Sequence, residues 1–500
     1  MKILRTIVFA ALTAVVAFAA CSKRISPVDS IERLDTITAT ISETQTKVTG
    51  RDSNNEITPL WEKGDIVYGY YGSDASQTVK YSVSAVADPA TSATLTWAGE
   101  GQAPAANAVE GKTFHVIYDG TNPSPVPASV PYQVDFSTQD GTLDGTLNKA
   151  VMAASGTVSN KSLTLNFSNL MSVIKIQKPS GKTITGISAC AGISGNATVS
   201  FNGNNAALAK GGESKITIGG GYTGDYTYAV VPSGTIIGMT FWALDTQNLT
   251  YAADVYSTTE SPSGRYEKAV APSKFYTFEN PSFEHRAYNT LRGLFHFTDE
   301  TFYSGRINFA KGNLQKNTST DNKWRLAEHQ YDPAPDGWTD QLNWASYKTS
   351  SIQVEGCNAD LITPSKPMMQ QIIDRQYGKG FATVNGIKGV VLLPDDWIGS
   401  KTKDPGKNTG NSQHKPAFDW TATNFSANVY SEEDWPYMEA AGCVFLPAAG
   451  EYCSYWTSTE TTNNYAYYVR IEPNTCEFYP VPKTSSCSVR LVYSYLVSQQ

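Results

Sequence analysis

Cys21 is the residue whose setting points most directly to chemistry. It follows Phe18-Ala19-Ala20, and small residues just before a cysteine are what a lipoprotein signal peptidase requires. The thiol would become thioether-linked to diacylglycerol and Cys21 would be the mature N-terminus. The preceding residues fit: Lys2 and Arg5 lead into an uncharged run of Ile, Val, Phe, Leu, Ala and Thr over 6–20. These are the n-region and h-region of an export signal, and the run falls short of the roughly 20 apolar residues of a spanning helix. Each buried acyl methylene contributes about 0.8 kcal/mol, so several chains hold a protein on a membrane. Outer-membrane lipid is the expected partner of acylated Cys21.

Six further cysteines remain, Cys190, Cys357, Cys443, Cys453, Cys476 and Cys487. An even number in an exported chain permits disulfides. Cys476 and Cys487 flank what reads as the end of a hairpin and form the candidate pair. Cys443 lies in an apolar run and reads as a small buried hydrophobe. No Cys-x-x-Cys or Cys/His cluster marks a zinc site, and the five histidines are scattered. Glu472-Pro473-Asn474 offers Glu472 and Asn474 as calcium ligands, because paired carboxylate and amide oxygens suit that ion. Its place between two strand-like runs instead reads as a turn. No Ser-His-Asp order, paired glycosidase carboxylates or phosphate loop stands out. The sequence therefore assigns no catalytic residue, metal or cofactor.

The elements that must hold these residues are mostly strands. Only 17% of residues are charged, with 39 Gly, 25 Pro and 28 Tyr, a texture of extracellular β-proteins. A net charge of −7 argues against a nucleic-acid partner. Alternating runs at 36–41, 66–71, 114–118, 163–167, 173–176, 226–231 and 239–244 are separated by Gly, Pro and Asn clusters, at the spacing of β-sandwiches. The Pro-rich stretch 123–131 reads as an extended loop. Residues 22–34 read as a tether. After about residue 285 tryptophan is concentrated. Residues 363–377 read as one helix, with Thr363 or Ser365 as cap and Met368, Met369, Ile372 and Ile373 as its apolar face.

Several ordered motifs go further. Thr46-Lys47, Trp61-Glu62-Lys63-Gly64-Asp65-Ile66, Met152-Ala153-Ala154 and the run 163–176 (LTLNFSNLMSVIKI) together resemble the fimbrillin-like lipoproteins of Bacteroidales type V pili, over about 35–280. The resemblance implies two tandem transthyretin-like β-sandwiches, at 35–160 and 161–285. It also implies trypsin-like maturation after a basic residue, for which Lys47 and Arg51 are candidates. Removal of the first strand would open a groove that another pilin's strand fills, a form of β-augmentation. In an uncleaved anchor subunit or standalone lipoprotein, Lys47 and Arg51 are ordinary loop charges.

The second half carries a different series: residues 307–315 (INFAKGNLQ), 324–332 (WRLAEHQYD), 389–397 (GVVLLPDDW), 438–450 (MEAAGCVFLPAAG), Tyr455-Trp456-Thr457-Ser458-Thr459 and Ser488-Val489-Arg490-Leu491-Val492. It is similar to FISUMP-like domains, relatives of the C-type-lectin-like fold. This implies an α+β domain over 286–500, in which Thr457 stands where the family usually has Ser. Trp456 and Trp397 read as buried anchors, and Arg490, among apolar neighbours, is expected to meet a buried carboxylate, Asp395 or Glu439.

The fold class expected is thus mainly β: a signal peptide at 1–20, a tether at 21–34, two sandwiches and a lectin-like domain. The function expected is a lipid-anchored surface protein, a pilus accessory or tip adhesin that binds a glycan or protein through its C-terminal domain. A glycan-binding lipoprotein of a polysaccharide-capture system is the alternative. An enzyme on the lectin-like fold, a fold shared with formylglycine-generating enzymes, is the third reading and would need a reactive cysteine.

Overall fold

A computed structural model describes residues 31–41, 60–72, 77–88, 90–118, 132–147, 149–219, 223–256, 267–293, 295–298, 303–319, 323–348, 353–357, 361–375, 379–397, 417–473 and 475–498. The signal peptide, Cys21, Lys47, Arg51, the Pro-rich stretch and Asn474 lie outside them. The described chain is mainly β.

The strands of the first unit form a closed barrel. Its strands run, in spatial order, Thr36–Ile41, Ser92–Trp97, Thr78–Val86, Ile66–Tyr71, Thr113–Tyr118, Met152–Thr157 and Thr164–Asn169, and the last pairs with the first. Strict alternation drives this. Ile37, Ala39 and Ile41 point inward while Thr36 and Thr38 face solvent, and Leu165 and Phe167 do the same on the last strand. Such a pattern suits a sheet wetted on one side and filled on the other. Trp61 fills the interior, edge-on to Tyr118 at 5.5 Å and Phe167 at 5.1 Å. Gly69 allows close strand approach: a Cβ there would lie 1.9 Å from the His115 carbonyl oxygen.

The next strand, Met171–Gln177, does not alternate; its first six residues are all buried. It is flanked by Tyr226–Pro232 and Phe275–Phe278 and packs on a six-stranded sheet through Ile174, Ile176, Ile184, Ile187, Ile216, Val231 and Phe241. Its other face meets the barrel, where Val173 and Val230 share a core with Tyr68 and Ile117. The passage between sheets falls at Leu170, about ten residues beyond the division at 160. Thr164–Asn169 is still a barrel strand. Two strands that precede that division, Tyr132–Asp135 and Thr138–Gln139, pair with Asn196–Asn202 and Lys215–Ile218 of the second unit.

The C-terminal unit joins its own beginning to its end. Tyr303–Phe309 pairs with Val492–Ser498, with Phe309 opposite Val492. Ile387–Leu392 pairs with Val444–Pro447, so the two apolar runs ended by Pro394 and Pro447 are neighbours in one sheet. The helix Lys366–Ile373 is capped by Ser365, whose Oγ accepts from the Met368 amide at 3.4 Å, with Pro in its first turn. Thr363 is buried and does not cap it. Met369, Ile372 and Ile373 face the core beside Phe295, Phe309 and Val469.

The second and C-terminal units meet through charge. Asp254 accepts from both terminal nitrogens of Arg286 at 2.7 and 2.8 Å. Arg292 lies 3.7 Å from Asp254 and donates to Asp396 at 2.6 Å. Burial would raise the Asp254 carboxyl, but the two guanidiniums hold it below the ordinary carboxylate range. Ile237 packs on Ala440 and Ala441 beside this cluster, and Tyr437 donates to Glu267 at 3.0 Å.

Candidate functional site

The strand Thr36–Ile41 is the feature of the barrel best placed to act. It is held on both sides, antiparallel to Ser92–Trp97 with Ile37 opposite Leu95, and parallel to Thr164–Asn169 with Ala39 opposite Leu165 and Ile41 opposite Phe167. The Ile41 amide donates to the Thr91 carbonyl at 2.8 Å, and the Thr38 amide to the Leu163 carbonyl at 3.1 Å. Ile37 and Ile41 are 3% and 5% exposed, each worth about 1.5–3 kcal/mol on burial. Removing the strand would expose two unpaired edges and an apolar trough. Lys47 and Arg51 fall in the stretch of sequence between Ile41 and Leu60, outside the described residues.

In the C-terminal unit the residues singled out from sequence are mostly scaffold. Arg490 is 1% exposed and neither expected carboxylate touches it. It donates to Gln330 Oε1 at 2.9 Å, Asn313 Oδ1 at 3.2 Å and the Lys311 carbonyl at 3.4 Å. Gln330 in turn donates to Glu439 Oε2 at 3.0 Å and its Oε1 accepts from the Phe445 amide at 2.7 Å. Burial pushes Arg490 down to about 10 and the Glu439 carboxyl upward. Asp395 is engaged elsewhere, accepting from the His296 amide at 2.6 Å and from Arg375. Gln330, fully buried, is the residue that sequence reading missed; an amide able to serve a cation and a carboxylate at once leaves no charge pattern in the chain. Trp456 is buried as expected, and Trp397 is half-buried against Ile237 and Ala440.

Cys476 and Cys487 are not partners. Both are free thiols; Cys476 sits opposite Ile471 and Cys487 opposite Leu342, in different sheets. The strand Cys476–Pro482 ends before the chain turns at Ser485, and Ser486–Cys487 joins another neighbour. Burial pushes the thiols up, Cys476 to about 11 and Cys487 to about 12, with Cys190, Cys443 and Cys453 also raised. None of these five has the depressed pKa of a reactive cysteine.

Glu472 belongs to the turn joining Tyr465–Ile471 to Cys476–Pro482, where Ile471 faces Cys476. Its carboxylate accepts from Arg470 Nε at 2.6 Å and Thr475 Oγ1 at 3.2 Å, so it serves the hairpin. No cluster of three or more His, Cys, Asp or Glu that could hold a metal occurs among the described residues. The C-terminal tyrosines differ in exposure even on one face of their strand. Tyr465 and Tyr479 are exposed, whereas Tyr467 lies under the Lys366 ammonium at 4.1 Å. Tyr468 and Tyr479 are tilted by 35° with ring centres 6.1 Å apart, which is not a flat platform.

No family model matches the chain, and no curated protein matches it. Several solved structures that it is similar to are adhesion and fimbrial proteins. A candidate cell adhesion protein from Bacteroides uniformis is 20% identical, with 52% of this chain and 96% of that one covered and a TM-score of 0.33. The tip fimbrial protein Mfa3 from Porphyromonas gingivalis, with a C-terminal truncation, is 7% identical over 50% of this chain and 98% of that one, with a TM-score of 0.27. A fimbrial protein from Bacteroides ovatus is 10% identical over 92% of this chain and 99% of that one, with a TM-score of 0.25.

Proposed function

We propose that this chain is a lipid-anchored cell-surface adhesin of the fimbrillin type, an accessory or tip subunit of a pilus. Its barrel exchanges strands with a neighbour, and its C-terminal unit is carried outward for recognition. The observation that supports this reading most directly is the double pairing of Thr36–Ile41. A single short strand closes the barrel and is followed in sequence by two basic residues, Lys47 and Arg51. Cleavage at either would release a strand whose place has both the edges and the side-chain trough that β-augmentation uses. The charged joint at Asp254 and the low reactivity of the buried thiols suit a rigid carrier of a recognition surface.

The test is limited trypsin digestion of the purified chain, followed by N-terminal sequencing and size-exclusion chromatography. A new N-terminus at Val48 or Asp52, loss of the Thr36–Ile41 strand and growth into oligomers are expected. A trypsin-treated product that keeps this strand and stays monomeric would remove strand exchange and leave a standalone surface lipoprotein.

A further inference from the structure

A cavity of about 160 Å³ lies where the second unit meets the C-terminal unit, lined from both sides. Lys215 comes from a strand of the six-stranded sheet, Lys311 from the start of the C-terminal unit, and Arg286 and Tyr288 from the segment between them. The Lys215 ammonium lies 4.0 Å from the centre of the Tyr288 ring, which itself stands edge-on to Trp242 at 4.8 Å.

The donors here outnumber their uses. Neither Lys215 nor Lys311 has an ion-pair partner among the described residues. The Tyr288 hydroxyl and the Arg286 Nε are buried with no hydrogen-bond partner. Burial, with repulsion from Lys311 added, pushes the Lys215 ammonium down. Buried donors with nothing to donate to are rare in folded proteins and call for an unseen acceptor. An oxyanion satisfies ammonium, guanidinium and phenol together. The opposite sign is also present: Glu328 and Glu439 line the same space. They would repel a bare inorganic anion and would accept from hydroxyl groups. A cavity of this size elsewhere holds one six-membered ring, and Trp242 and Tyr288 add apolar surface to its lining.

We propose that this cavity binds an acidic monosaccharide unit, a hydroxylated six-membered ring bearing one carboxylate. The carboxylate faces Lys215, Lys311 and the Tyr288 hydroxyl, and the ring hydroxyls face Glu328 and Glu439. The site does not depend on strand exchange, because a chain that trypsin leaves whole still carries it.

Isothermal titration of the purified full chain with D-glucuronate, D-glucose and sodium sulfate tests this. Glucuronate is expected to bind saturably and more weakly as salt rises, with little heat from glucose or sulfate. Lys215→Gln and Lys311→Gln are each expected to weaken glucuronate about tenfold, and Tyr288→Phe to weaken it less while leaving the melting temperature unchanged. Absence of glucuronate binding overturns the proposal. So do lysine variants that fold and bind as the parent does, or sulfate or glucose binding as tightly as glucuronate.

Discussion

Arg490 and Glu439 are joined through one amide. Gln330 accepts from the guanidinium at 2.9 Å and donates to the carboxylate at 3.0 Å. A buried cation and a buried acid are thereby coupled without touching, and the cost of burying each falls on a side chain that carries no charge.

The pH dependence of this relay has a definite sign. The Glu439 carboxyl is raised above the ordinary glutamate value of 4.5, chiefly by burial. A carboxyl raised in the folded state contributes stability below its unfolded pKa and loses it as pH climbs through the folded one. Glu439→Gln keeps an acceptor for Gln330 and removes the ionisation. Denaturant midpoints of the variant and parent should differ most above neutrality, in the variant's favour, and converge as pH falls toward 4.5. A difference that is flat with pH would assign the burial cost elsewhere.

The Asp254 joint predicts the opposite slope. Its carboxyl is held below 3.8 by Arg286 and Arg292 despite burial, so its contribution persists above that pH and disappears as acid protonates it. Asp254→Asn leaves two guanidiniums facing a neutral amide and should cost about 3 kcal/mol in urea unfolding at pH 7. The variant should also lack the part of the acid transition below 3.8 that the parent shows.

Barrel closure can be probed at two positions. Gly69→Ala places a Cβ against the His115 backbone, where no flexible side chain can give way, and should cost about 3 kcal/mol or abolish folding. Ile37→Ala removes buried methyl groups from the closing strand and should cost about 2–4 kcal/mol. If that strand is displaced by proteolysis, Ile37→Ala should change the stability of the uncleaved chain and not of the cleaved product. Calorimetry on both forms reads this directly.

Thiol chemistry separates the free cysteines from any disulfide framework. None of Cys190, Cys357, Cys443, Cys453, Cys476 and Cys487 is in a disulfide. Ellman's reagent should find little reaction in the native chain, since burial raises five of these thiols. All six should react after denaturation without reductant. A shortfall of two would reinstate a disulfide.

Local pattern was legible wherever one face of a strand is wet. The alternation at Thr36–Ile41 marks that strand to the residue, the Gly64-Asp65 turn marks the start of Ile66–Tyr71, and the turn at Glu472 was readable from its flanking runs. Ser365, Pro and the apolar Met and Ile positions marked the helix Lys366–Ile373, because capping and 3.6-residue periodicity are local. The sequence by itself thus determined several of the strands, the turn at Glu472 and the principal helix. Only the tertiary structure decided that the first sheet closes on itself, that Met171–Gln177 lies between two cores, and that Gln330 stands between Arg490 and Glu439. Closure and charge pairing join residues far apart in the chain. Their energies come from which distant surfaces meet, and a neutral amide or a strand's second neighbour leaves no periodic trace along the chain.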